Sequence, residues 1–420
     1  MKILWVKAGG LVPPDTGGKI RSYNILRELS RHHAVTFFSF YGEHANDVHP
    51  ELEKLFPVFC VPLKLPASSS AAELRDYMGN LFSSEPYNFA KYCRPEVREK
   101  LISVLQQNNY DIILCDFLTP AALIPWEWPC PKVIFTHNVE ATIWQRHYKT
   151  ARNPLWKALS WYEWQRMKRV EEGYLRRADH VLAVSENDRN AFSSFLDPSR
   201  LTVIQTGVDV DYFKPAQDTE EPNSLVFTGS MDWLPNEDGI IYFIKEILPL
   251  IRQQVPDVSL RIVGRKPSAD LQSLASRQEN VEVTGWVEDV RPFLARGAVC
   301  VVPLRIGSGT RLKIFEAMSM GKAVVSTTIG AEGLPVQPGD NIILADEPHI
   351  FAQSVASLLH DQARRVEIGR AARKLVTENY SWAKIAGDFA AILAQVAAED
   401  NREARAASLT SLRSTTTVKN

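Results

Sequence analysis

The segment 304–321, LRIGSGTRLKIFEAMSMG, places cations and one carboxylate beside a glycine-rich bend that opens a helical pattern. An apolar run, AVCVVP (298–303), leads into the bend. Backbone N–H groups of such a turn can approach an anion closely, and the helix start adds a positive dipole. Formal charge at the same end comes from Arg305, Arg311 and Lys313. The segment therefore predicts a pyrophosphate site.

Glu316 lies within about two turns of the same helix start. A carboxylate there can accept hydrogen bonds from ribose hydroxyls, as acidic groups do in other nucleotide sites. The bend is not a Walker A loop, because no Gly-Lys-Ser/Thr closes it. A plain strand–turn–helix corner with solvated cations explains the same residues, so spacing alone leaves both interpretations open.

A second glycine turn follows the first apolar run, in AGGLVPPDTGGKIRSYNILREL. Gly17 and Gly18 lie at a predicted helix start, with Lys19 and Arg21 in the first turn. Such a turn also favours an anion. Glycine is common where a strand joins a helix, so the pair of turns is more informative than either alone.

His137 stands at the end of another strand-like run, in IFTHNVEATIWQRH. A histidine at that position can donate a hydrogen bond to a phosphate or a sugar hydroxyl. The alternative is a histidine that is hydrogen-bonded to a neighbouring loop of the protein. The sequence does not decide between them.

These residues must be positioned by short apolar runs that alternate with longer helical patterns. Several runs are almost continuously Val, Ile, Leu or Phe, which is typical of parallel strands covered on both faces. The alternation predicts doubly wound α/β sheets, with ligands beyond the carboxyl ends of the strands. The predicted strands are 2–6, 34–40, 111–116, 132–138, 180–185, 201–206, 224–229, 259–264, 281–287, 298–304, 322–327 and 342–346.

The polar, acidic and proline-containing stretch 211–224 has the composition of a linker. We therefore expect two doubly wound domains that face each other across a cleft. The stretch 398–420, AEDNREARAASLTSLRSTTTVKN, lacks core residues and predicts a disordered tail.

The composition excludes several classes of protein. The chain has 420 residues, 45% hydrophobic and 23% charged, with a net charge of −1, so nothing favours nucleic-acid binding. Its five cysteines form no CxxC pair, which favours a reducing compartment with buried thiols. The start, MKILWVKAGGLVPP, predicts a strand rather than a signal peptide, and no run is long enough to span a membrane.

A helical segment, 153–180, is rich in tryptophan and basic residues. It predicts either an interfacial surface that contacts a membrane peripherally, or a core-facing aromatic stripe with a solvated basic face. The residues concerned are Trp156, Lys157, Trp161, Trp164, Arg166, Lys168 and Arg169.

The motifs resemble those of the GT-B glycosyltransferases of the large retaining family 4, over nearly the whole chain. The resemblance also extends to bacterial exopolysaccharide sugar transferases. The motifs that carry it in the second half are VFTGSMDWLPNEDGI, VPDVSLRIVG, VEVTGWVEDVRPFLARGAVCVVPL, RLKIFEAMSMGKAVVST, PGDNIILAD and YSW; in the first half they are DTGGKIRSYNILREL, ADHVLAVSENDR and IQTGVDVDYFKP.

The resemblance implies an acceptor-side Rossmann-like domain, 1–206, completed by a returning helix at about 381–397. It implies a nucleotide-sugar-binding domain at 207–380. It also implies roles for residues: Glu316 for the donor ribose, Gly309 and Thr310 beside the sugar and phosphates, Gly17 and Gly18 for the diphosphate and acceptor, His137 for the donor sugar, and Trp286 and Val287 for the base.

The chain departs from the family pattern at two places. Family members often carry a glutamate with seven residues between it and the equivalent of Glu316, and here that position is Ser308. The Arg and Lys that commonly follow the first strand of the second domain are replaced by Ser230 and Asn236. We expect Arg311 and Lys313 to supply the missing positive charge.

The resemblance therefore predicts a retaining glycosyltransferase that moves a sugar from a nucleoside diphosphate sugar to a glycan or lipid-linked acceptor. The expected role is exopolysaccharide or cell-surface polysaccharide synthesis, in the cytoplasm, including the inner face of the membrane. No carboxylate can be assigned as a nucleophile, which predicts front-face attack. We expect no metal and no cofactor besides the donor substrate.

Three other classes of protein remain open at this point. A nucleotide-sugar epimerase or phosphorylase can have the same two-domain plan and differs in its products. A dinucleotide oxidoreductase should carry GxGxxG after its first strand, which KAGGLVPP matches poorly. A non-catalytic scaffold at a membrane surface is favoured only by the tryptophan-rich segment.

Overall fold

The structure of the chain, a computed structural model, describes residues 1–14, 16–42, 49–66, 70–151, 153–216, 220–306 and 311–416, with 400–416 described by their backbone. The chain divides into two compact units. Unit 1 comprises Met1–Gln205 and Ala386–Asn420, and unit 2 comprises Thr206–Ile385. The sequence-based limits were 206/207 and 380/381.

Unit 1 contains a 7-stranded sheet in its described part, with the order β3-β2-β1-β4-β5-β6-β7, and every pair of neighbours is parallel. The order reverses between β1 and β4. The strands are β1 (Lys2–Ala8), β2 (Ala34–Gly42), β3 (Val58–Leu63), β4 (Ile112–Asp116), β5 (Lys132–Phe135), β6 (His180–Ala183) and β7 (Leu201–Val203).

The connections of unit 1 are largely helical, as parallel strands require. The helices are α1 (Gly17–Leu29), α2 (His49–Glu53), α3 (Ala71–Gly79), α4 (Tyr87–Tyr92), α5 (Pro95–Gln107), α6 (Glu140–Thr150), α7 (Pro154–Arg177) and α8 (Glu186–Phe192), with short 3₁₀ turns at Thr119–Ala122 and Pro198–Arg200. β1 and β4 are buried along nearly their whole length, which explains their continuous apolar pattern.

Unit 2 contains a 6-stranded parallel sheet in its described part, with the Rossmann order β10-β9-β8-β11-β12-β13. Here the order reverses between β8 and β11. The strands are β8 (Ser224–Thr228), β9 (Ser259–Val263), β10 (Val281–Gly285), β11 (Val299–Val302), β12 (Ala323–Ser326) and β13 (Ile343–Leu344).

The helices of unit 2 cover its sheet around one core of buried aliphatic and aromatic side chains. They are α9 (Leu234–Tyr242), a π-helical turn (Phe243–Ile247), α10 (Leu248–Arg252), α11 (Ala269–Ser276), α12 (Arg291–Arg296), α13 (Leu312–Ser319), α14 (Pro348–His360) and α15 (Gln362–Asn379). The last helix, α16 (Trp382–Thr416), begins in unit 2 and belongs to unit 1 from Ala386 onwards.

The structure confirms the predicted fold class of two doubly wound Rossmann-like domains. That they face each other across a cleft stays a prediction. Each predicted strand is present, but the sequence missed β3, an edge strand that contains Pro62. A proline cannot donate to a sheet, so it weakens the strand pattern and is tolerated at an edge.

Two predictions about the connecting segments were wrong. The expected linker at 211–224 belongs to unit 2: the carbonyl of Phe213 accepts from Ser319, and Glu220 forms an ion pair with Arg365 at 2.7 Å. The expected disordered tail continues α16 as far as Thr416. Its Ala-, Glu- and Arg-rich composition has high helix propensity, which explains why the helix continues here.

The tryptophan-rich segment forms α7, and its residues divide between the two predicted surfaces. Trp164 packs against the core of unit 1, whereas Trp156 and Trp161 are 43% and 49% exposed. Arg166 is buried in an ion pair with Glu163 at 2.6 Å, so its assignment to a solvated or interfacial face was wrong. None of the helices in the described ranges is both long and apolar enough to cross a membrane. A peripheral membrane contact stays a prediction.

Candidate active site

Parallel strands end at the same edge of a sheet, and in doubly wound sheets ligands bind beyond that edge, where the strand order reverses. In unit 1 this position lies beyond β1 and β4, and in unit 2 it lies beyond β8 and β11. Polar side chains gather at both positions.

In unit 1, a buried ion pair joins the ends of β1 and β4. Lys7 and Asp116 are register partners across the two strands, and the Lys7 Nζ lies 2.9 Å from the Asp116 Oδ2. The indole N–H of Trp5, two residues earlier on the same face, donates to the same oxygen at 3.0 Å. Both partners of the ion pair are almost fully buried, with exposures of 2% and 0%. Such a pair persists only where further hydrogen bonds satisfy the charges.

His137 supplies one of those hydrogen bonds. Its Nε2 lies 2.7 Å from the Asp116 Oδ1, and its Nδ1 lies 3.3 Å from Nη1 of Arg21 in α1. The imidazole ring stacks on Phe117 at 4.0 Å and packs against Phe135 at 4.4 Å. Both ring nitrogens therefore contact groups of unit 1, and the ring is held on its faces as well.

The environment sets the charges of these groups. Burial lowers the pKa of His137 to about 4, although Asp116 opposes the shift, so the ring is neutral at pH 7. Burial alone would raise the pKa of Asp116, but Lys7 and His137 outweigh it and hold the pKa below its usual range. Burial lowers the pKa of Arg21 to about 10, which leaves the guanidinium charged. Burial also lowers the pKa of Lys7, although Asp116, 2.9 Å away, opposes the shift.

Gly18, the second residue of α1, is required by close packing. A Cβ at this position would lie 2.6 Å from Cζ of Phe117 and 3.6 Å from Nδ1 of His137. At Gly17 a Cβ would meet no atom within 4 Å. The predicted glycine turn and the predicted histidine therefore lie side by side.

The sequence left two interpretations of His137, a ligand contact or a hydrogen bond within the protein. The structure shows hydrogen bonds within unit 1, to Asp116 and Arg21. A direct contact with a donor sugar stays a prediction. Lys7 and Asp116 were not predicted as site residues from the sequence. A usable signal was the carboxylate that ends the apolar run DIILCD, because a charged residue in a buried strand needs a partner on a neighbouring strand.

In unit 2, Lys313 reaches the end of β8 from α13. Its Nζ lies 2.6 Å from Oδ1 of Asn236 and 4.2 Å from the centre of the Phe227 ring. The amide of Asn236 in turn donates to the carbonyl of Ser230 at 2.8 Å. A Cβ at Gly229 would lie 2.6 Å from the Lys313 Nζ. The ammonium group therefore lies beside the two positions where the family pattern has its Arg and Lys.

Arg265 is a second cation at this position, and it was not predicted as a site residue from the sequence. It follows β9, and its carbonyl accepts from the N–H of Met231 at 2.9 Å. Its Nε donates to Oγ of Ser230 at 2.7 Å, and that hydroxyl donates to Asp232 at 2.5 Å. The same Nε lies 3.7 Å from Oδ2 of Asp232 in an ion pair, and the side chain is 46% exposed. The signal was present in RIVGRKP, where cations directly follow a predicted strand.

The other predicted cations of unit 2 have distinct surroundings. Arg311 is buried, with its guanidinium carbon 5.2 Å from the Trp233 ring. Arg305 forms a two-pronged ion pair with Asp238 of α9, at 2.6 and 3.1 Å. Asp238 therefore partly neutralises Arg305, one of the cations that the sequence predicted to bind the phosphates.

Burial shifts the pKa values of Lys313 and Glu316 toward neutrality. Burial lowers the pKa of Lys313 to about 7, and burial raises the pKa of Glu316 to about 7, against the effect of Lys313. Both groups are half-buried on α13. Perturbed values of this kind are common at functional sites, because such sites hold charge for a ligand.

The remaining predicted residues are not all part of this cluster. Trp286 directly follows β10 and is 72% exposed, and Val287 packs against the core of unit 2. Ser308, Gly309 and Thr310 lie outside the described residues. No group of three or more potential metal ligands occurs in the part of the chain that the structure describes. The expectation of a metal-free reaction stays a prediction.

Family models match most of the chain. The model named Glycosyltransferase Family 4 matches residues 16–212, and the model named Glycosyl transferases group 1 matches residues 222–361. The first covers most of unit 1, and the second lies within unit 2.

Curated relatives are distant in sequence. An uncharacterized 44.6 kDa protein in the cps region of Klebsiella pneumoniae is 22% identical over 299 residues, 69% of this chain and 75% of that protein. A D-inositol 3-phosphate glycosyltransferase of Corynebacterium glutamicum (strain R) is 24% identical over 230 residues, 49% of this chain and 54% of that protein. The chain spans about half the length of the latter relative.

Solved structures share the fold over nearly the whole chain. Anabaena Alr3699/HepE in complex with UDP has a TM-score of 0.67 at 17% identity, and covers 94% of this chain and 100% of that one. A sucrose-phosphate synthase from Thermosynechococcus elongatus has a TM-score of 0.67 at 16% identity, with 94% and 99% covered. At these identities the likeness shows the fold alone.

Proposed function

The chain belongs to Glycosyltransferase Family 4, with a glycosyl transferases group 1 region in unit 2, and has the GT-B fold, and from this premise we propose that it transfers a sugar from a nucleoside diphosphate sugar with retention of the anomeric configuration. The proposed acceptor is a glycan or a lipid-linked glycan. The proposed process is synthesis of an exopolysaccharide or cell-surface polysaccharide.

The observation that carries the proposal is the cation cluster beyond β8. Lys313 and Arg265 come from two different elements and converge on the backbone and side chain of Ser230 and the amide of Asn236. Cations and a helix start at the point of strand reversal are the arrangement that binds a nucleotide diphosphate in doubly wound sheets. The charge that this chain lacks in the loop after β8 is thereby supplied from α13 and β9.

The reaction needs this charge most when the sugar leaves. The bond between the anomeric carbon and the diphosphate oxygen breaks, and negative charge grows on that oxygen. Fixed cations stabilise the developing charge without having to reorganise. The acceptor hydroxyl attacks from the face that the diphosphate leaves, forming the new glycosidic bond, and a phosphate oxygen takes its proton.

Relatives support the substrate class but leave open the sugar and the base. The structural neighbour from Anabaena is described in complex with UDP. One curated relative, from Mycobacterium tuberculosis, is named as a GDP-mannose-dependent mannosyltransferase. The Klebsiella relative is placed in the cps region by its name, which supports a role in polysaccharide synthesis.

Two experiments test the proposal together. A thermal-shift series with UDP, GDP, ADP and dTDP and their sugars should raise the melting temperature for one base, since a ligand of the folded state stabilises it. NMR of the products then identifies the anomer. Formation of an α-glycosidic bond to the acceptor from an α-linked donor supports retention, and a β-linked product contradicts it.

The same product analysis excludes the other enzymes. An epimerase converts the nucleotide sugar without an acceptor and releases no nucleoside diphosphate. If no nucleotide sugar binds to the folded protein, the proposed function is wrong.

A further inference from the structure

The helix α3 and the turn that follows it expose an apolar stripe. Leu74, Met78 and Phe82 are four residues apart, which places them on one face of a helical segment, and they are 63%, 57% and 97% exposed. Helical hydrogen bonding continues into the turn, where the N–H of Leu81 donates to the carbonyl of Met78 at 3.3 Å. None of the nine residues of Ala71–Gly79 is buried. An apolar surface of this kind marks a contact with another molecule.

Buried charge holds this stripe in its exposed position. The guanidinium of Arg166 in α7 donates to the carbonyl and to the side-chain oxygen of Asn80, both at 3.0 Å. Its partner in the buried ion pair, Glu163, accepts from the hydroxyl of Tyr77 at 2.9 Å. Such a pair persists only where further hydrogen bonds satisfy it, and here those hydrogen bonds join it to α3 and its turn. The exposure of Phe82 is therefore built into the fold.

The same region of α7 adds exposed side chains beside the stripe. The hydroxyl of Tyr162 donates to the carbonyl of Leu81, the residue before Phe82, at 2.5 Å. Residues seven apart share one face of a helix, so Leu155 and Arg169 lie on the Tyr162 face, one on each side of it. Both are exposed. The surface formed by these side chains and their neighbours, here named the α3–α7 surface, comprises Leu74, Met78, Phe82, Leu155, Trp161, Lys168 and Arg169.

Positive charge is concentrated on α6 and α7. Their four acidic side chains are buried or half-buried, whereas seven cations are exposed: Arg146, Lys149, Lys157, Lys168, Arg169, Arg176 and Arg177. On α3 the exposed Arg75 and Asp76 balance each other, and Glu73 forms an ion pair with Lys91 at 2.7 Å. The whole chain has a net charge of −1, so the charge of the two helices is a local feature.

This combination of groups matches the surface of an anionic membrane. Exposed aliphatic and aromatic side chains enter the boundary of the acyl chains, an indole lies at the level of the headgroups, and cations attract acidic lipids. A second copy of the chain fits less well, because a two-fold contact through this surface would bring like charges together.

We propose that the α3–α7 surface docks on a bilayer whose headgroups carry negative charge. The docking goes beyond the proposed function and does not depend on it, because it requires no nucleotide sugar.

Sedimentation of the full chain with lipid vesicles tests the proposal. Vesicles of phosphatidylcholine with phosphatidylglycerol should bind the protein at least about tenfold more tightly than phosphatidylcholine alone, since each cation near an anionic surface contributes about fivefold. Added salt should weaken the binding, because it screens the charges. Absence of binding to the mixed vesicles, or equal binding to both kinds, would overturn the proposal.

Phe82→Gln tests the apolar part of the surface. We expect it to weaken binding to the mixed vesicles by about tenfold, because one aromatic ring no longer leaves water. Its melting temperature should match the wild type, since the ring is exposed in the folded protein. Ile350→Gln is the matched control, an apolar residue of α14 in unit 2 that is 52% exposed, and it should bind like the wild type. Equal effects of the two substitutions would overturn the proposal.

The double variant Lys168→Gln/Arg169→Gln tests the charge. It should weaken binding to the mixed vesicles by about tenfold or more, from the loss of two cations. Arg370→Gln/Lys374→Gln is the matched control, because both side chains are exposed on α15 of unit 2 and the same net charge is removed. Equal losses would show that only the total charge of the chain matters, and the proposal would be wrong.

Sedimentation velocity without vesicles tests the other occupant. A dimer that forms with rising concentration and is abolished by Phe82→Gln would assign the surface to a second copy and overturn the proposal. Vesicle binding without sugar transfer would contradict the proposed function alone. Sugar transfer to a soluble acceptor without vesicle binding would contradict the docking alone.

Discussion

At the scale of single residues, the cations of unit 2 make donor binding depend on pH. The pKa of Lys313 is about 7 in the free protein because of burial. A bound phosphate raises that pKa again, because it favours the charged form. Binding near neutrality therefore takes up a proton, and the affinity for an anionic ligand falls as the pH rises above 7.

The first prediction follows from this linkage. The affinity for the nucleotide sugar should fall by up to about tenfold per pH unit between pH 7 and 9. Lys313→Arg should flatten this dependence, because a guanidinium stays charged. Calorimetry at several pH values measures it. The sugar-bearing nucleotide is the better ligand, since its diphosphate does not titrate near pH 7.

Glu316 complicates the measurement, because its pKa is also about 7 and its ionisation weakens anion binding in the same direction. Glu316→Gln separates the two contributions. The slope that remains in this variant belongs to Lys313. A slope that Lys313→Arg leaves unchanged would contradict the role of Lys313.

The second prediction concerns Arg265, whose Nε donates to Ser230. Arg265→Ala should weaken nucleoside diphosphate binding by about tenfold or more, since a charge-assisted hydrogen bond contributes about 1.5–3 kcal/mol. Arg261→Ala is the matched control on β9, since Arg261 also forms ion pairs, with Glu221 and Glu282, and neither pair includes Ser230. Equal effects of both substitutions would show that only general charge matters.

Single residues at strand ends could be predicted from the sequence, but their partners could not. His137, Gly17 and Gly18 follow apolar runs, so their position at the sheet edge follows from the pattern. The pairing of Lys7 with Asp116 depends on β1 and β4 being neighbours, although two strands, β2 and β3, lie between them in the chain. Adjacency in a sheet is a property of the topology, and a local pattern does not contain it.

At the scale of elements, Glu171 of α7 caps the start of α6. Its carboxylate accepts from the N–H of Glu140 at 2.7 Å and from the N–H of Ala141 at 3.2 Å. These groups have no partner within the helix, so the cap satisfies them. Because α6 follows His137 by three residues, the cap also fixes the segment that carries the histidine.

The third prediction is the pH dependence of this cap. Burial raises the pKa of Glu171 to about 7, although the backbone N–H groups oppose the shift. The folded protein thus binds the proton more tightly than the unfolded chain, and the free energy of unfolding falls as the pH rises from about 4.5 to 7. Glu171→Gln should remove up to about 3 kcal/mol of that fall. Thermal unfolding at pH 5, 6, 7 and 8 measures it.

Glu172→Gln is the control for this prediction. The Glu172 carboxylate is next to Glu171 in the chain but is partly exposed, and it lies 3.9 Å from Lys168. It should leave the pH dependence unchanged. His137, whose pKa is lowered, gives the opposite slope between about pH 4 and 6.5, and this contribution is the same in both variants. Identical slopes in wild type and Glu171→Gln would contradict the prediction.

At the scale of the whole molecule, the end of the chain completes the core of unit 1. Phe389 of α16 is fully buried, stacks on Trp5 with ring centres 5.7 Å apart, and meets Phe135 edge-on at 5.2 Å. Trp5 donates to Asp116, and Phe135 packs against His137. The last helix therefore supports the buried cluster from behind, and a helix returning to the first domain was foreseen only through the resemblance to the family.

The fourth prediction tests this support. Phe389→Ala should destabilise unit 1 by about 3–5 kcal/mol, because it removes a large buried ring and leaves a cavity. Hydrogen exchange in β1 and β5 should become faster, since their aromatic side chains lose this contact. Gln395→Ala, an exposed position on the same helix, should change neither stability nor exchange. We also expect Phe389→Ala to reduce sugar transfer, because Asp116 and His137 would be displaced. Unchanged hydrogen-exchange protection of β1 and β5 in this variant would contradict the prediction and would mean that Phe389 is dispensable to the core.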